Sequence, residues 1–187
     1  MSVDGTSIKV GDGEPPTTVV VWDPFVRLFH WSLVGLFAVA YATGEEIEKI
    51  HLAAGYTIAA LLVLRIIWGF IGPRHARFAN FVRPPGEMLA NLRDALLFRA
   101  PRYLGHNPAG AAMIIALIVM TLATCVTGYM LTGIYWGSKW VEEAHEALAN
   151  VTVALVALHV LGVILVSFEH RENLVKAMIT GKKRRLD

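Results

Sequence analysis

Four long apolar blocks constrain this chain more than any other feature of its sequence. They run from about Phe25 to Thr43, His51 to Ile71, Pro108 to Ile134 and His145 to Phe168. A helix needs roughly 20 residues to cross the hydrocarbon layer of a bilayer, and each block meets that length. No water reaches backbone N–H and C=O groups in that layer, so a spanning segment must satisfy them internally, as a helix does. Composition agrees: 17% of the residues are charged and 55% are hydrophobic, where a soluble domain carries about a quarter charged. The expected fold class is an all-α membrane protein, an up-down four-transmembrane-helix bundle with a short cytoplasmic interfacial helix. The links "GEEIEKI" and "YWGSKWVEEA" are short enough to force antiparallel neighbours.

Positive charge sets the orientation. Arg74, Arg77, Arg83, Arg93, Arg99 and Arg102 lie between blocks two and three. Arg171, Lys176, Lys182, Lys183, Arg184 and Arg185 follow block four. The opposite links hold only Lys49 and Lys139, beside Glu45, Glu46, Glu48, Glu142 and Glu143. The positive-inside rule places both termini and the long middle loop in the cytoplasm. The formal net charge of +2 conceals this asymmetry, which is a topology signal and not a nucleic-acid footprint.

Three units are expected: residues 1–20 as a flexible cytoplasmic tail rich in Gly, Pro, Ser and Thr, 21–180 as the four-helix membrane domain, and 181–187 as a basic cytoplasmic tail. No cleaved signal peptide is expected, because the first block follows a polar stretch and lacks a small-residue cleavage site. Asp23 and Pro24 suit the N-cap and first turn of the first helix. Trp22 and Trp31 are expected at a membrane interface. In the middle loop, Met88, Leu89, Leu92, Leu96 and Leu97 recur at helical spacing, which suits an amphipathic helix on the inner leaflet. Cys125 stands alone, so no internal disulfide forms, and a buried structural thiol is its expected role. No C-x-x-C-H motif offers covalent haem attachment.

Histidines inside the hydrocarbon layer are costly and point to function. Of the seven, His75 and His106 fall in the basic loop and are expected at solvated surface, and His170 lies just past block four as an interfacial residue or a propionate or quinone contact. His145 and His159 are 14 residues apart, so they share one helix face at a rise of about 21 Å, too far for one metal ion. By depth, His30 pairs with His159 near the inner face and His51 with His145 near the outer face. Two imidazoles per depth suit the axial positions of haem iron. Zinc would want three or four ligands in one place, and no third is evident. Gly35, Gly55, Gly128 and Gly162 either let a flat ring approach the backbone or serve ordinary helix packing. Arg27 and Arg65 lie near the inner end, where they either pair with haem propionates or snorkel to headgroups.

These residues carry a family resemblance. "WDPFVRLFHW", "HLAAGYTIAALLVLRIIWGFIGPRHARFANFV", "YLGHNPAGAAMI", "HEALANVTVALVALHVLG" and "HRENLVKAMITGKKR" resemble successive motifs of the bacterial cytochrome b561 family, di-haem membrane cytochromes similar to the b subunits of nickel-iron hydrogenases. The resemblance spans about residues 20 to 183. It implies two haem b groups held by His30, His51, His145 and His159, and electron exchange with ubiquinone or menaquinone in the bacterial inner membrane. "GPRHARF" and "LGHNPAG" are nearer the hydrogenase-type branch, although the chain lacks the long insertions of some hydrogenase-bound members. The redox partner stays open between a periplasmic c-type cytochrome and a dehydrogenase or hydrogenase subunit, and so does a homodimer. The expected function is membrane electron transfer through two b haems between the quinone pool and that partner. One alternative is a stand-alone quinone-linked oxidoreductase acting on a small donor such as superoxide. Another is a non-haem transporter with a histidine relay, which would need a polar pathway that the four blocks lack. Whether the chain is itself an enzyme is not fixed by its residues.

Overall fold

Helix formation follows from capping chemistry at the ends of the apolar blocks. In a computed structural model, which describes residues 17–44 and 46–185, Pro24 opens helix α1 (Pro24–Thr43) and Asp23 Oδ1 accepts from the Val26 amide at 3.2 Å. Helix α5 (Pro108–Leu131) starts the same way: Asn107 Oδ1 accepts from the Gly110 amide at 2.6 Å. A proline at the first position loses nothing, because its missing N–H would be unpaired there anyway. With α2 (Glu48–Ile71) and α6 (Lys139–Glu169), these are four helices long and apolar enough to cross a membrane.

Two helix ends differ from the apolar block boundaries. Helix α6 begins at Lys139, six residues before His145. Hydropathy marks the part in lipid, whereas the polar start of α6 is held by good helix formers and by Glu142, which complements the positive helix N-terminus. Helix α5 stops at Leu131 rather than Ile134, where the chain turns through Thr132–Gly137.

The long helices pack as two hairpins, α1 on α2 and α5 on α6, joined along α2 and α5. Phe29, Ile58 and Leu62 form the buried centre of that contact, with Leu33, Phe37, Ile118, Leu122 and Cys125 against it. Cys125 sits partly buried, its Sγ 3.9 Å from the Gly55 carbonyl oxygen. Helix α6 lies close to α5 but touches α1 and α2 sparsely. Tyr41 Oη bridges that cleft, donating to Asn150 Oδ1 at 3.0 Å. Large apolar side chains such as Val63, Leu64 and Ile67 face outward, as lipid-facing residues do.

Short elements gather at the arginine-rich end. Helix α3 (Phe78–Phe81) follows α2, and Gly69 gives the Phe78 ring its place, since a Cβ there would collide with it. The expected interfacial helix is α4 (Pro85–Leu96). Leu89, Leu92 and Leu96 point outward, while Asn91 is buried and its Oδ1 accepts from the Ala109 amide at 3.2 Å, one of the N–H groups that α5 leaves unpaired. Helix α7 (Leu174–Thr180) ends at Gly181, whose φ of +80° suits glycine.

The chain ends differ from the two tails expected there. Strand β1 (Thr18–Val20) pairs antiparallel with β2 (Lys182–Arg184), Thr18 opposite Arg184. The rest of the N-terminal tail, residues 1–16, lies outside the described residues. The ribbon brings Val21 and Trp22, just past β1, against Ala177, so of the two tryptophans expected at the interface Trp22 is a core residue and Trp31 is exposed. Polar pairing closes the same end. Arg102 donates to Glu172 at 2.8 Å, and Lys183 Nζ donates to the Tyr103 carbonyl at 2.8 Å and lies 3.7 Å from Glu172.

Burial raises the Glu172 carboxyl, but hydrogen bonds from Arg102 and the Arg184 amide, with the Lys183 and Arg102 charges, more than offset it and hold the group below its ordinary 4.5. A carboxylate with a depressed folded pKa stabilises fully above the unfolded value and loses that contribution as pH falls through the folded one. Protection factors of the amides in β1, β2 and α7, with the intrinsic pH dependence of exchange divided out, are therefore expected to fall as pH drops below about 4.5. Glu172→Gln should raise exchange there at pH 7 by an amount matching on the order of 2 kcal/mol of local stability. Protection factors that are flat with pH in the parent, or unchanged in the variant, would exclude this closure.

Candidate metal centres between paired histidines

Four half-buried histidines meet in two pairs across the cleft between the hairpins. At the glutamate-rich end, the His51 and His145 ring centroids lie 5.9 Å apart. His51 Nδ1 is 2.9 Å from the Ala40 carbonyl oxygen, and His145 Nδ1 is 3.0 Å from the Thr124 carbonyl oxygen and 3.1 Å from Thr127 Oγ1. A carbonyl can only accept, so each Nδ1 carries the proton and each Nε2 keeps its lone pair. Metal-ligating histidines are prepared this way by their outer partners. Gly128 makes room for the arrangement, because a Cβ there would sit 3.0 Å from His145 Cε1.

At the arginine-rich end, the His30 and His159 ring centroids lie 6.4 Å apart. The surroundings differ in kind. Among the described residues, the buried side-chain polar atoms without a partner are Arg27 Nε, His30 Nδ1, Arg65 Nη1, Trp68 Nε1 and His106 Nδ1. All belong to segments at this end: the start of α1, the end of α2 and the approach to α5. Arg65 is 3% exposed although it is a cation, with Nη2 donating to the Ala76 carbonyl at 3.3 Å and the guanidinium 5.1 Å from the Phe78 ring centre. Arginine and tryptophan nitrogens only donate, and an unpaired buried donor is costly. This cluster therefore suits an anionic acceptor.

The residues fit haem on three grounds. A metal about 2 Å from each of two facing imidazole nitrogens sets ring centroids roughly 6 Å apart, and both pairs match that span. The unpaired donors at one end suit carboxylates such as propionates. Gly55, four residues after His51, and Gly162, three after His159, share a helix face with those rings, and a Cβ at either would meet nothing within 4 Å. Among the described residues, no place gathers three or more His, Cys, Asp or Glu, so a zinc-type donor set is not assembled.

Other histidines lie away from the pairs. His170 Nε2 is 3.9 Å from Glu169 Oε2 at the end of α6. The solvated placement expected for His106 is corrected by the structure. Its ring packs at a tilt between Trp22 and Phe81, with centroids 4.5 and 4.8 Å away, and its Nδ1 is sealed from solvent. Burial, then the charges of Arg65, Lys183, His75 and His159, push the imidazole down to about 3. The physical reason is the ribbon, which folds Trp22 over the "LGHNPAG" turn. Trp68 carries no motif of its own in the sequence; its spacing of three from Arg65, on one helix face, is the signal that would find it. Arg27 packs beside Gly181, where a Cβ would lie 3.2 Å from its Nη1.

Residues 21–181 match the family described as prokaryotic cytochrome b561. A probable Ni/Fe-hydrogenase B-type cytochrome subunit of Azotobacter vinelandii is 26% identical, covering 94% of this chain and 94% of the relative. Its counterpart in Bradyrhizobium diazoefficiens is 25% identical over 89% of this chain and 86% of the relative. Another, from Azotobacter chroococcum, is 30% identical over 67% and 65%. With haem b as the family's typical cofactor and four membrane-length helices around two histidine pairs, the chain belongs to the prokaryotic cytochrome b561 family of membrane electron-transport proteins.

Proposed function

We propose that this chain is a di-haem electron-transfer subunit that links a Ni/Fe-hydrogenase to membrane quinone. The observation that carries the reading is the stacking of two imidazole pairs, with centroids 6.4 and 5.9 Å apart, on a helix that separates them by about 21 Å. His30 with His159 and His51 with His145 are the proposed axial ligands. Bound haem iron supplies one-electron chemistry at each depth. The protein contributes the rest. Backbone carbonyls of Ala40 and Thr124 fix the tautomers of His51 and His145. Arg27, Arg65 and Trp68 offer donors to propionates at the basic end. Gly55 and Gly162 leave space beside the rings.

Partner and direction rest on charge and kinship. The positive-inside rule puts the arginine-rich end in the cytoplasm of a bacterial inner membrane. Relatives are named as hydrogenase b-type subunits, which supports a hydrogenase partner over a periplasmic c-type cytochrome. Glu46, Glu48, Glu142, Glu143 and Glu146 cluster at the outer end, where they disfavour an anionic donor such as superoxide and favour a docking partner with basic groups. Quinone is assigned to the inner end, near Arg27, Arg65 and His170.

A pyridine haemochrome spectrum of the purified chain is expected to give two b haems per polypeptide. His51→Ala or His145→Ala should remove one, and His30→Ala or His159→Ala the other. A haem-free parent, or single variants that keep both haems with unchanged spectra, would exclude the ligand assignment. Removing a cation near haem disfavours the electron-rich reduced form. Arg65→Gln should therefore lower the midpoint potential of the inner haem alone, on the order of tens of mV, in a redox titration. An equal shift of both haems would place Arg65 elsewhere.

A further inference from the structure

A second polar cavity lies outside the histidine pairs. It occupies about 150 Å³ between the end of α2 and the start of α5, several times the space one water needs. Arg74, His75, Asn80, Arg83, Tyr103 and His106 supply its polar lining, and no carboxylate lines it. Among the described residues, neither Arg74 nor Arg83 forms an ion pair, whereas Arg102 and Lys183 nearby are both paired with Glu172. The loop is held in shape: Asn80 Nδ2 donates to the Arg74 carbonyl at 2.6 Å, and Arg77 Nε donates to the Gly72 carbonyl at 2.5 Å. A Cβ at Gly105 would sit 3.0 Å from His75 Nδ1, so this glycine gives the imidazole its place.

The chemistry of the lining selects an anion. Burial and then the charges of Arg74 and Lys183 lower the His75 imidazole, and His106 is pushed down to about 3. Both rings are thus uncharged at physiological pH, and His75 lies beside two guanidinium groups that form no ion pair among the described residues. Guanidinium forks match phosphate oxygens in two-point contacts. Depth selects the source. The pocket begins just past Ile71, where Phe70 and Ile71 are exposed on the last turn of α2. Leu89, Leu92, Leu96 and Phe98 are exposed on and after α4, as residues immersed at the lipid boundary are. Basic pockets at the cytoplasmic ends of membrane helices take lipid head groups.

We propose that this pocket binds the phosphate of an anionic phospholipid, held by Arg74 and Arg83 at the basic face of the bundle. The site is independent of the haem and quinone assignments. Native mass spectrometry of the full, haem-loaded chain in mild detergent tests it, with dioleoyl phosphatidylglycerol, dioleoyl phosphatidylcholine and inorganic phosphate as separate probes. Phosphatidylglycerol should bind one per chain, roughly tenfold or more tighter than phosphatidylcholine. Arg74→Gln with Arg83→Gln should remove that preference, Arg83→Gln alone should weaken it, and Arg99→Gln outside the pocket should leave it intact. An unchanged helical circular-dichroism spectrum and melting midpoint mark each variant as folded. Equal retention of both lipids, or equal weakening by Arg99→Gln, would overturn the site. Inorganic phosphate that binds without lipid and displaces phosphatidylglycerol would keep the phosphate chemistry but overturn the lipid as its source.

Discussion

An imidazole inside the hydrocarbon layer has two nitrogens to satisfy, and the arrangement of the helices follows from how this chain meets that demand. At the glutamate-rich end, one nitrogen of each ring is matched by a backbone carbonyl, Ala40 for His51 and Thr124 for His145. Those carbonyls belong to α1 and α5, the hairpin partners of the helices that carry the rings. Each hairpin therefore orients its own histidine through its own backbone. The remaining nitrogens face a cleft that α6 does not close by packing on α1 or α2. A flat apolar cofactor would supply the contacts missing from that cleft, which is why the sparse packing accords with the family's haem chemistry.

The two ends of the bundle solve different electrostatic problems. The glutamate-rich end leaves no buried side-chain donor unpaired among the described residues, while the arginine-rich end leaves five polar atoms unpaired. Three of them, Arg27 Nε, Arg65 Nη1 and Trp68 Nε1, are N–H groups that can only donate, so the cluster suits an acceptor there. Around it the ribbon of β1 and β2, the Arg102–Glu172–Lys183 contacts and the Trp22–His106 packing form a polar-edged cap. A second basic pocket lies beside that cap, lined by Arg74, His75, Arg83 and Tyr103.

Much of this was legible residue by residue. Block lengths gave the four spans, Asp23 and Pro24 gave the start of α1, and the outward leucines of α4 gave an interfacial helix. The depth argument placed His30 opposite His159 and His51 opposite His145, and those rings do face each other. Trp22 and His106 were misjudged for one reason. Their burial depends on β2, more than 70 residues further along the chain, folding back over them. Local composition carries no trace of such a contact. The start of α6 was missed because hydropathy measures contact with lipid and not helix extent.

The sequence alone determined the elements that the bilayer imposes: four helices, their alternating direction and the depth of each histidine. A spanning segment has no other way to satisfy its backbone, and rise per residue then fixes depth. Only the tertiary structure decided which donors are left unpaired, which glycines border open space, and how the chain ends pair over the basic face. These depend on side chains brought together from distant segments, where a shift of one helix turn would change every partner while leaving the hydropathy pattern the same.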